Sequence, residues 1–300
     1  MIWVKKLVNE ITVKTILNKH KKRDDLFLGN YTLNPYAGCP IGCIYCYTRG
    51  SKYGGNHGVK VAPKSNAVPI LKKQLKNSIK RNKRGFIVLG SAADPYPSIE
   101  KEIKLTREIL GIIKRYKFPV HILTKSTLVA RDMDILKAIN EVAILPPEFD
   151  DRLNGGVIVS LSLSTLDEKL AQIIEPGAPS PIERLETIQK YSSAGLKTGV
   201  INMPILPSLS DSEKEIKALV KASKNYGAHY VLYGGLTLYG DAPDDCKTLY
   251  FNFLKDNYPN LLLEYENLFN SIAPSKRYQN DLAVKFGKIS NRYGINNRLI

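Results

Sequence analysis

The sequence predicts an α/β fold in which a parallel sheet closes only part of the way into a barrel. Short runs rich in β-branched residues alternate six times with segments of helical period, and this alternation implies right-handed crossovers between parallel strands. Several of the runs, such as 86–89, are continuously apolar, as expected of strands buried on both faces. Six units are fewer than a closed barrel of eight requires. We therefore predict an open, partial (β/α)6 barrel of the TIM type, with its reaction face at the carboxyl ends of the strands.

The predicted strands and helices follow one another in regular order. The first helix is the clearest, because apolar residues at positions 68, 71, 75 and 79 form one stripe along it. In the fourth helix Ser180 is a suitable N-cap and Pro181 suits the first turn, and Ser210 is the expected cap of the fifth. The strands are expected at 31–34, 86–91, 120–124, 157–163, 198–203 and 230–233, and the later helices at 99–116, 132–142, 181–194, 211–226 and 244–257.

Two shorter segments flank this barrel core of residues 31–258. Residues 1–30 form a basic N-terminal extension whose structure the pattern does not specify. Residues 259–300 form a C-terminal helical extension, with one helix near 275–293 that covers one end of the core.

The composition indicates a cytoplasmic protein. No apolar run approaches the roughly 20 residues that span a membrane, and the N-terminus lacks the apolar core and cleavage site of a signal peptide. Three of the four cysteines lie within eight residues. In a reducing compartment this clustering favours metal binding over a disulfide framework.

Positive charge is concentrated in the first third of the chain. The net charge is +16, and between Leu26 and Ala93 there is no Asp or Glu, while eleven Lys and Arg fall within 49–84. Such a field attracts polyanions and binds them more strongly at low salt. A solvated lysine-rich face of the kind found in thermophile proteins is the alternative. We favour a polyanion partner, DNA or RNA, bound through 49–84.

The loop after the first predicted strand carries a C-x3-C-x2-C pattern formed by Cys39, Cys43 and Cys46. Thiolates bind soft metals and iron–sulfur clusters. Three ligands leave one iron of a cubane open, much as catalytic zinc sites keep one position free. The alternative is a structural zinc knuckle completed by His57, eleven residues further on. We favour the cluster, because the pattern falls at the carboxyl end of a barrel strand.

Further segments define a resemblance to a known family. The cysteine pattern with an aromatic residue just before its last member resembles that of the radical-SAM superfamily. The segments Asn34–Tyr36, Gly90–Tyr96, Thr124–Asp132 and Glu175–Leu185 are similar to its spore photoproduct lyase-like branch, often described as DNA repair photolyase. The resemblance extends from about residue 30 to residue 240.

This resemblance implies two cofactors and an electron donor. Cys39, Cys43 and Cys46 would hold a 4Fe–4S cluster whose open iron chelates S-adenosylmethionine. One electron, from an external donor of the flavodoxin or ferredoxin type, would cleave S-adenosylmethionine to methionine and a 5′-deoxyadenosyl radical that abstracts hydrogen from substrate.

The resemblance also implies which residues meet S-adenosylmethionine. Each of them lies in the cysteine loop or at the carboxyl end of a predicted strand, where ligands of such barrels bind. The expected contacts are Tyr45 with the adenine, Ser91, Ala92 and Asp94 with the methionyl amino group, Lys125 with the carboxylate, Ser160 or Ser162 with the ribose or carboxylate, and Asn202 and Met203 with the adenosyl group.

Four positions bear on how the radical is handled after hydrogen abstraction. Tyr45 and Tyr47 flank Cys46 and match a pair of tyrosines associated with radical relay in spore photoproduct lyases. Those enzymes carry a hydrogen-donating cysteine just upstream of the aspartate that matches Asp94, and here that position is Ser91. A serine hydroxyl is a much poorer hydrogen-atom donor than a thiol. Cys246 would replace it if the loop after the sixth strand folds over the mouth.

The sequence therefore predicts an iron–sulfur enzyme that cleaves S-adenosylmethionine and abstracts hydrogen from a large anionic substrate, with nucleic acid as one option. The alternative is a nucleic-acid-binding protein whose metal centre is structural and which performs no chemistry on S-adenosylmethionine. In that case the basic residues of 49–84 would contact phosphates and nearby tyrosines would stack on bases.

Overall fold

The structure is a computed structural model, and it describes residues 9–54 and 60–300. Strands and helices alternate through most of the chain, and two short strand pairs precede the first helix. The strands are β1 (Leu17–Asp24), β2 (Gly29–Leu33), β3 (Tyr36–Ala37), β4 (Ala62–Pro63), β5 (Phe86–Leu89), β6 (Val120–Thr124), β7 (Val157–Ser162), β8 (Lys197–Ile205) and β9 (Val231–Gly235). The helices are α1 (Ala67–Lys80), α2 (Glu100–Ile103), α3 (Leu105–Tyr116), α4 (Met133–Val142), α5 (Glu168–Ile174), α6 (Pro181–Ser193), α7 (Glu213–Asn225), α8 (Cys246–Asn257), α9 (Leu262–Leu268) and α10 (Lys276–Tyr293).

The main sheet has seven strands in the order β1-β2-β5-β6-β7-β8-β9. The six strands from β2 to β9 are parallel, as the sequence predicts, and β1 pairs antiparallel with β2 at one edge. The open partial barrel is therefore confirmed. Its parallel strands all end on the same side, so the loops that follow them share one face.

The outer face of the sheet carries the helices. The apolar stripe of α1, with Leu71 and Leu75 fully buried, packs in one core with alternate residues of the strands such as Ile87 and Val159. Burial of this stripe is what fixes the helix, since amphipathic helices gain most of their stability from packing. The remaining strand residues face the barrel interior.

The lower half of the barrel interior is closed by apolar side chains. Phe86, Ile158 and Tyr230 form a buried cluster there with Leu299 from the C-terminal segment. That segment also forms a parallel bridge between Tyr230 and Asn296. The barrel is therefore accessible from the carboxyl ends of its strands.

The edge strand β1 lies within the segment expected to be an N-terminal extension. One side chain of α1 holds its start: Gln74 Oε1 accepts hydrogen bonds from Ile16 N and Leu17 N at 3.1 and 3.0 Å, and Gln74 Nε2 donates to Leu17 O at 3.0 Å. Residues before the barrel core thus become part of the sheet.

The prediction of one continuous helix at 99–116 is wrong. The segment expected as one helix at 99–116 breaks at Lys104, which adopts a left-handed conformation with φ 56°. The buried carboxylate of Glu100 accepts hydrogen bonds from Thr106 N and Arg107 N at 2.9 and 3.3 Å. It thereby caps the start of α3, and these hydrogen bonds stabilise the break in the helix.

One predicted cap is also wrong. Helix α7 is capped by Ser212, whose hydroxyl accepts a hydrogen bond from Glu215 N at 3.1 Å. The hydroxyl of Ser210 instead accepts one from Leu206 N at 2.9 Å, within the preceding turn. The cap predicted at Ser180 is confirmed, with a complete capping box through Glu183.

The segment after the barrel core is helical. It contains α9 and then α10, which begins after Ser275 as the sequence predicts and packs beside α7. Within the described residues, every helix is too short or too polar to cross a lipid bilayer.

Candidate functional site

A cavity of about 860 Å³ lies at the carboxyl ends of the parallel strands. This is where ligands bind in barrels and open α/β sheets. Each parallel strand contributes at least one side chain or backbone segment to its wall: Thr32, Val88, Leu123, Ser162, Met203 and Gly235.

The cysteine loop forms one side of this cavity. It begins after β3 and turns at Gly38 and Gly42, whose φ angles of 72° and 71° lie in the left-handed region. All three cysteines of the loop line the cavity, and none is in a disulfide. Burial raises the pKa of Cys39 to about 11 and that of Cys43 further. Because thiolates are the ligands, metal binding here would release protons.

The donor set of this loop fits an iron–sulfur cluster. Three soft thiols face one cavity that reaches the strand ends, and two of them, Cys39 and Cys46, are half-exposed to it. Among residues 9–54 and 60–300, no three His, Cys, Asp or Glu side chains are grouped to hold one metal ion. His57, the fourth ligand of the zinc alternative, lies outside the described residues.

The loop after β5 forms the neighbouring wall. It starts at Gly90, whose φ is +93° and where an added Cβ would meet Leu123 O at 2.0 Å, so the turn requires glycine. The side chain of Asn34 holds the loop, because its Oδ1 accepts a hydrogen bond from Ala92 N at 3.0 Å and its Nδ2 donates to Ser91 Oγ at 3.2 Å. Ser91 and Ala92 line the cavity, as Asp94 does.

Asp94 ties this loop to the end of β6. Its carboxylate accepts hydrogen bonds from Thr124 Oγ1 at 2.7 Å, Lys125 N at 2.8 Å and Tyr96 N at 2.9 Å. Burial raises its pKa, while these three hydrogen bonds favour the ionised form. Two carboxylate oxygens have about four acceptor positions, so one remains for a ligand.

Lys125 reaches the cavity from the end of β6. Its Nζ donates a hydrogen bond to Ser162 Oγ at 2.9 Å, lies 3.8 Å from the carboxylate of Glu175, and stands 5.7 Å from the centre of the Tyr45 ring. Burial alone would lower the pKa of Lys125, but the nearby Glu175 carboxylate and the cysteines of the loop together outweigh burial, and the pKa is raised. The side chain therefore carries a positive charge at the cavity wall.

The two tyrosines beside Cys46 have different environments. Tyr45 is buried, and its hydroxyl donates to the Glu175 carboxylate and lies 2.8 Å from Ser164 Oγ. Tyr47 is exposed at the mouth, and its hydroxyl donates to Ser91 O. Its ring packs edge-on against Tyr53, with centroids 6.1 Å apart.

Four predicted contacts on β7 and β8 divide into two groups. Ser162 and Met203 line the cavity. Ser160 shares the inward face but lies deeper, fully buried, with its hydroxyl 2.7 Å from His121 Nε2 and 2.6 Å from the Tyr230 hydroxyl. Asn202 Nδ2 donates to Leu163 O at 2.8 Å, so its side chain holds the loop after β7 instead of lining the cavity.

Cys246 is the first residue of α8 and is fully buried. Its sulfur accepts a hydrogen bond from Tyr239 N at 3.1 Å and is not part of the cavity wall. The loop after β9 does approach the mouth, where Thr237 lines the cavity. The thiol, however, is turned towards the backbone of its own loop.

Several residues of the site were not singled out from the sequence. Asn34 holds the loop after β5, and Glu175 and Arg184 form a buried ion pair beside the cysteine loop. All three lie in segments that carry the family resemblance, so that signal was available. Asn18 and His20 of β1 also line the cavity, and no pattern in the sequence marks them.

The comparisons with known proteins agree with this geometry. Residues 33–220 match the family model described as the Radical SAM superfamily. An uncharacterized protein of Mycobacterium tuberculosis is 31% identical over 278 residues, covering 90% of this chain and 76% of that protein. An uncharacterized protein of Methanocaldococcus jannaschii is 30% identical over 265 residues, covering 85% and 88%. A solved structure of a spore photoproduct lyase mutant has a TM-score of 0.66 at 17% identity, covering 94% of this chain and 78% of that chain.

The chain therefore belongs to the Radical SAM superfamily, as its sequence indicates. Its fold is similar to that of spore photoproduct lyase, at a sequence identity that supports the likeness of the fold alone.

Proposed function

We propose that this protein binds a 4Fe–4S cluster through Cys39, Cys43 and Cys46 and cleaves S-adenosylmethionine reductively to start hydrogen abstraction from a substrate. The observation that carries the proposal is that these three thiols, the Asp94 carboxylate and the Lys125 ammonium face one cavity of about 860 Å³. When bound, the cluster and S-adenosylmethionine supply the electron transfer and the 5′-deoxyadenosyl radical.

The chain's own residues bind and orient the amino-acid end of S-adenosylmethionine. That end is a zwitterion, and the cavity wall offers one group of each charge, Asp94 for the amino group and Lys125 for the carboxylate. The two residues are joined directly, since the backbone N–H of Lys125 donates to the Asp94 carboxylate at 2.8 Å. Charge-assisted hydrogen bonds of this kind are about twice as strong as neutral ones.

Other side chains enclose the adenosyl end and keep water from it. Val88, Leu123, Ile201 and Met203 give the inner wall an apolar surface, and Ser162 adds a hydroxyl next to Lys125. Exclusion of water from a reactive intermediate prevents side reactions. Below this layer the hydroxyl of Ser160 is fully engaged with His121 and Tyr230, so we assign the ribose contact to Ser162.

A further question is which group returns a hydrogen atom after hydrogen has been abstracted from the substrate. Ser91 stands where the resemblance implies a donor cysteine, and its hydroxyl accepts a hydrogen bond from Asn34 Nδ2 at 3.2 Å. We propose that residue 91 orders the loop in this chain and does not return a hydrogen atom. Tyr47, which contacts Ser91 O at the mouth, is then the residue best situated for a relay.

A nucleic-acid substrate fits the charge of the molecule. Lys72, Lys76 and Lys80 are exposed on α1, which is joined through Gln74 to β1 and its exposed Lys19 and Lys21. Phosphate contacts of this type supply much of the affinity for nucleic acids. Three of the similar solved structures are of spore photoproduct lyase with a dinucleoside spore photoproduct, one of them also with bound AdoMet.

Anaerobic reconstitution tests the proposal directly. The wild-type protein should bind about four iron atoms with four sulfides, as a cubane requires, and should release 5′-deoxyadenosine when given dithionite and S-adenosylmethionine. Cys43→Ala should lose both the cluster and the product. Cys246→Ala is the matched control, because it removes a buried thiol that does not line the cavity, and it should keep both.

Two results would contradict the proposal. Zinc without iron in the purified protein, together with no affinity for S-adenosylmethionine, would favour a nucleic-acid-binding protein with a structural metal. Formation of 5′-deoxyadenosine by Cys43→Ala would remove the assigned ligand from the reaction.

A further inference from the structure

Glu175 is a buried carboxylate that the proposed chemistry does not use. It is 2% exposed, follows the last turn of α5 and is not part of the cavity wall. Its oxygens accept hydrogen bonds from Arg184 Nη1 at 2.6 Å, from Ser164 Oγ at 2.8 Å and from the Tyr45 hydroxyl. Lys125 Nζ lies 3.8 Å from the same carboxylate. A buried charge is costly unless it is paired and hydrogen-bonded, so this carboxylate and its partners depend on one another.

The backbone next to Glu175 is bonded to the cysteine loop on both sides of Cys43. Ile44 N donates to Ile174 O at 3.0 Å, and Gly177 N donates to Ile41 O at 2.8 Å. The contact at Gly177 is so close that an added Cβ would lie 2.5 Å from Pro40 O. The segment 174–177 therefore supports residues 40–45 of the cysteine loop through its backbone. The hydrogen bond from Tyr45 to Glu175 adds a side-chain contact between the same two segments.

Charge gives Glu175 a second effect on the site. It is the carboxylate that faces both Lys125 and Arg184, and Arg184 is itself 1% exposed and donates to Ser162 O at 2.7 Å. Removal of the Glu175 charge would leave two buried cations side by side. Repulsion between them would then turn the side chain of Lys125, the more exposed of the two, away from its present position.

We propose that Glu175, held by Arg184, is a positioning residue for the iron–sulfur site. It fixes Tyr45 and the loop from Cys39 to Cys46 in the shape that presents the thiols to the cavity, and it holds Lys125 at the cavity wall. This inference rests on the proposed function, because it assigns the loop to a cluster.

The test compares Glu175→Gln with Glu183→Gln in the full-length, reconstituted protein. Both variants replace one carboxylate by an amide, but Glu183 is exposed and contacts the start of α6 instead of the cysteine loop. The readouts are the rate of iron release to a chelator in the absence of S-adenosylmethionine and the electron paramagnetic resonance spectrum of the reduced cluster with and without it. Glu175→Gln should release iron about tenfold faster, as expected for the loss of a charge-assisted hydrogen bond, and should lose the spectral shift caused by S-adenosylmethionine. Glu183→Gln should match the wild type.

A second variant covers the case in which Glu175→Gln does not fold, as judged by circular dichroism. Tyr45→Phe removes only the hydroxyl that donates to Glu175 and keeps the ring between Cys43 and Cys46. It should also release iron faster than the wild type, by a smaller factor. Wild-type iron release and spectra in either folded variant would overturn the positioning role. A wild-type protein that holds no cluster would overturn the proposed function and this inference together.

Discussion

Asp94 and Lys125 show how single residues carry two duties in this site. The Asp94 carboxylate holds the start of the loop after β6 through Lys125 N and Thr124 Oγ1, and the same carboxylate lines the cavity. The Lys125 ammonium bonds Ser162 Oγ and presents a positive charge to the same space. Residues of this kind are hard to replace, because a change alters both the cavity wall and the ligand contact that we propose for them.

Lys125→Met is the sharpest test of the ligand contact. Methionine keeps most of the length and the apolar stem but removes the charge that faces the cavity. We expect affinity for S-adenosylmethionine to fall about 10- to 100-fold, since a hydrogen bond to a charged group is worth about 1.5–3 kcal/mol. Isothermal titration of the reconstituted protein measures it. Lys125→Arg should retain part of the affinity, and an unchanged dissociation constant for Lys125→Met would remove Lys125 from the ligand site.

Gly90→Ala tests whether the shape of the loop after β5 matters. Position 90 has φ +93°, and an added methyl group would overlap Leu123 O, so we expect a loss of about 2 kcal/mol or more in the free energy of unfolding. Binding of S-adenosylmethionine should weaken as well. Gly235→Ala is the control, because this glycine also lines the cavity but an added Cβ meets nothing within 4 Å. Equal urea midpoints for the two variants would contradict the argument.

Among the structural elements, strands follow the sequence more faithfully than their connections do. The run 86–91 becomes β5 and the run 230–233 becomes β9. A continuously apolar run between two helices is buried on both faces as a strand inside a parallel sheet. The break at Lys104 was not foreseen, since it depends on the side chain of Glu100 reaching the start of the next helix. The deep position of Ser160 was not foreseen either. Period-two alternation gives the face of a strand but not how far along the barrel the cavity extends.

The edge strand β1 lies outside the predicted barrel yet lines the cavity, and its attachment to α1 depends on Gln74. Gln74→Ala would leave the backbone N–H groups of Ile16 and Leu17 without their acceptor, at a cost of about 1–3 kcal/mol. We expect faster hydrogen exchange across 16–24, measured by mass spectrometry, and little change in the strands from β5 to β9. Lys76→Ala on the exposed side of the same helix is the control and should leave the exchange of β1 unchanged.

At the scale of the whole molecule, the exposed lysines of α1 lie on a helix that adjoins a strand of the cavity wall. The net charge of +16 includes the exposed lysines of α1, and α1 packs beside β1, which forms part of the cavity wall. A polyanion bound along α1 would therefore lie beside β1. The fold thus brings α1, from the acid-free stretch of the sequence, beside a strand that forms part of the cavity wall, which the order of residues along the chain does not show.

This link predicts which lysines a nucleic acid uses. The triple variant Lys72→Ala, Lys76→Ala and Lys80→Ala should weaken binding of an oligonucleotide and reduce the salt dependence of its affinity, because log K changes with log [salt] by about 0.9 per duplex phosphate contact. The matched control replaces Lys214, Lys217 and Lys221 by alanine, which removes the same charge from exposed positions of α7. Fluorescence anisotropy over a range of salt concentrations measures both. Equal losses in the two triple variants would mean that net charge alone attracts the nucleic acid. Wild-type affinity and salt slope in the α1 variant would show that the polyanion binds elsewhere.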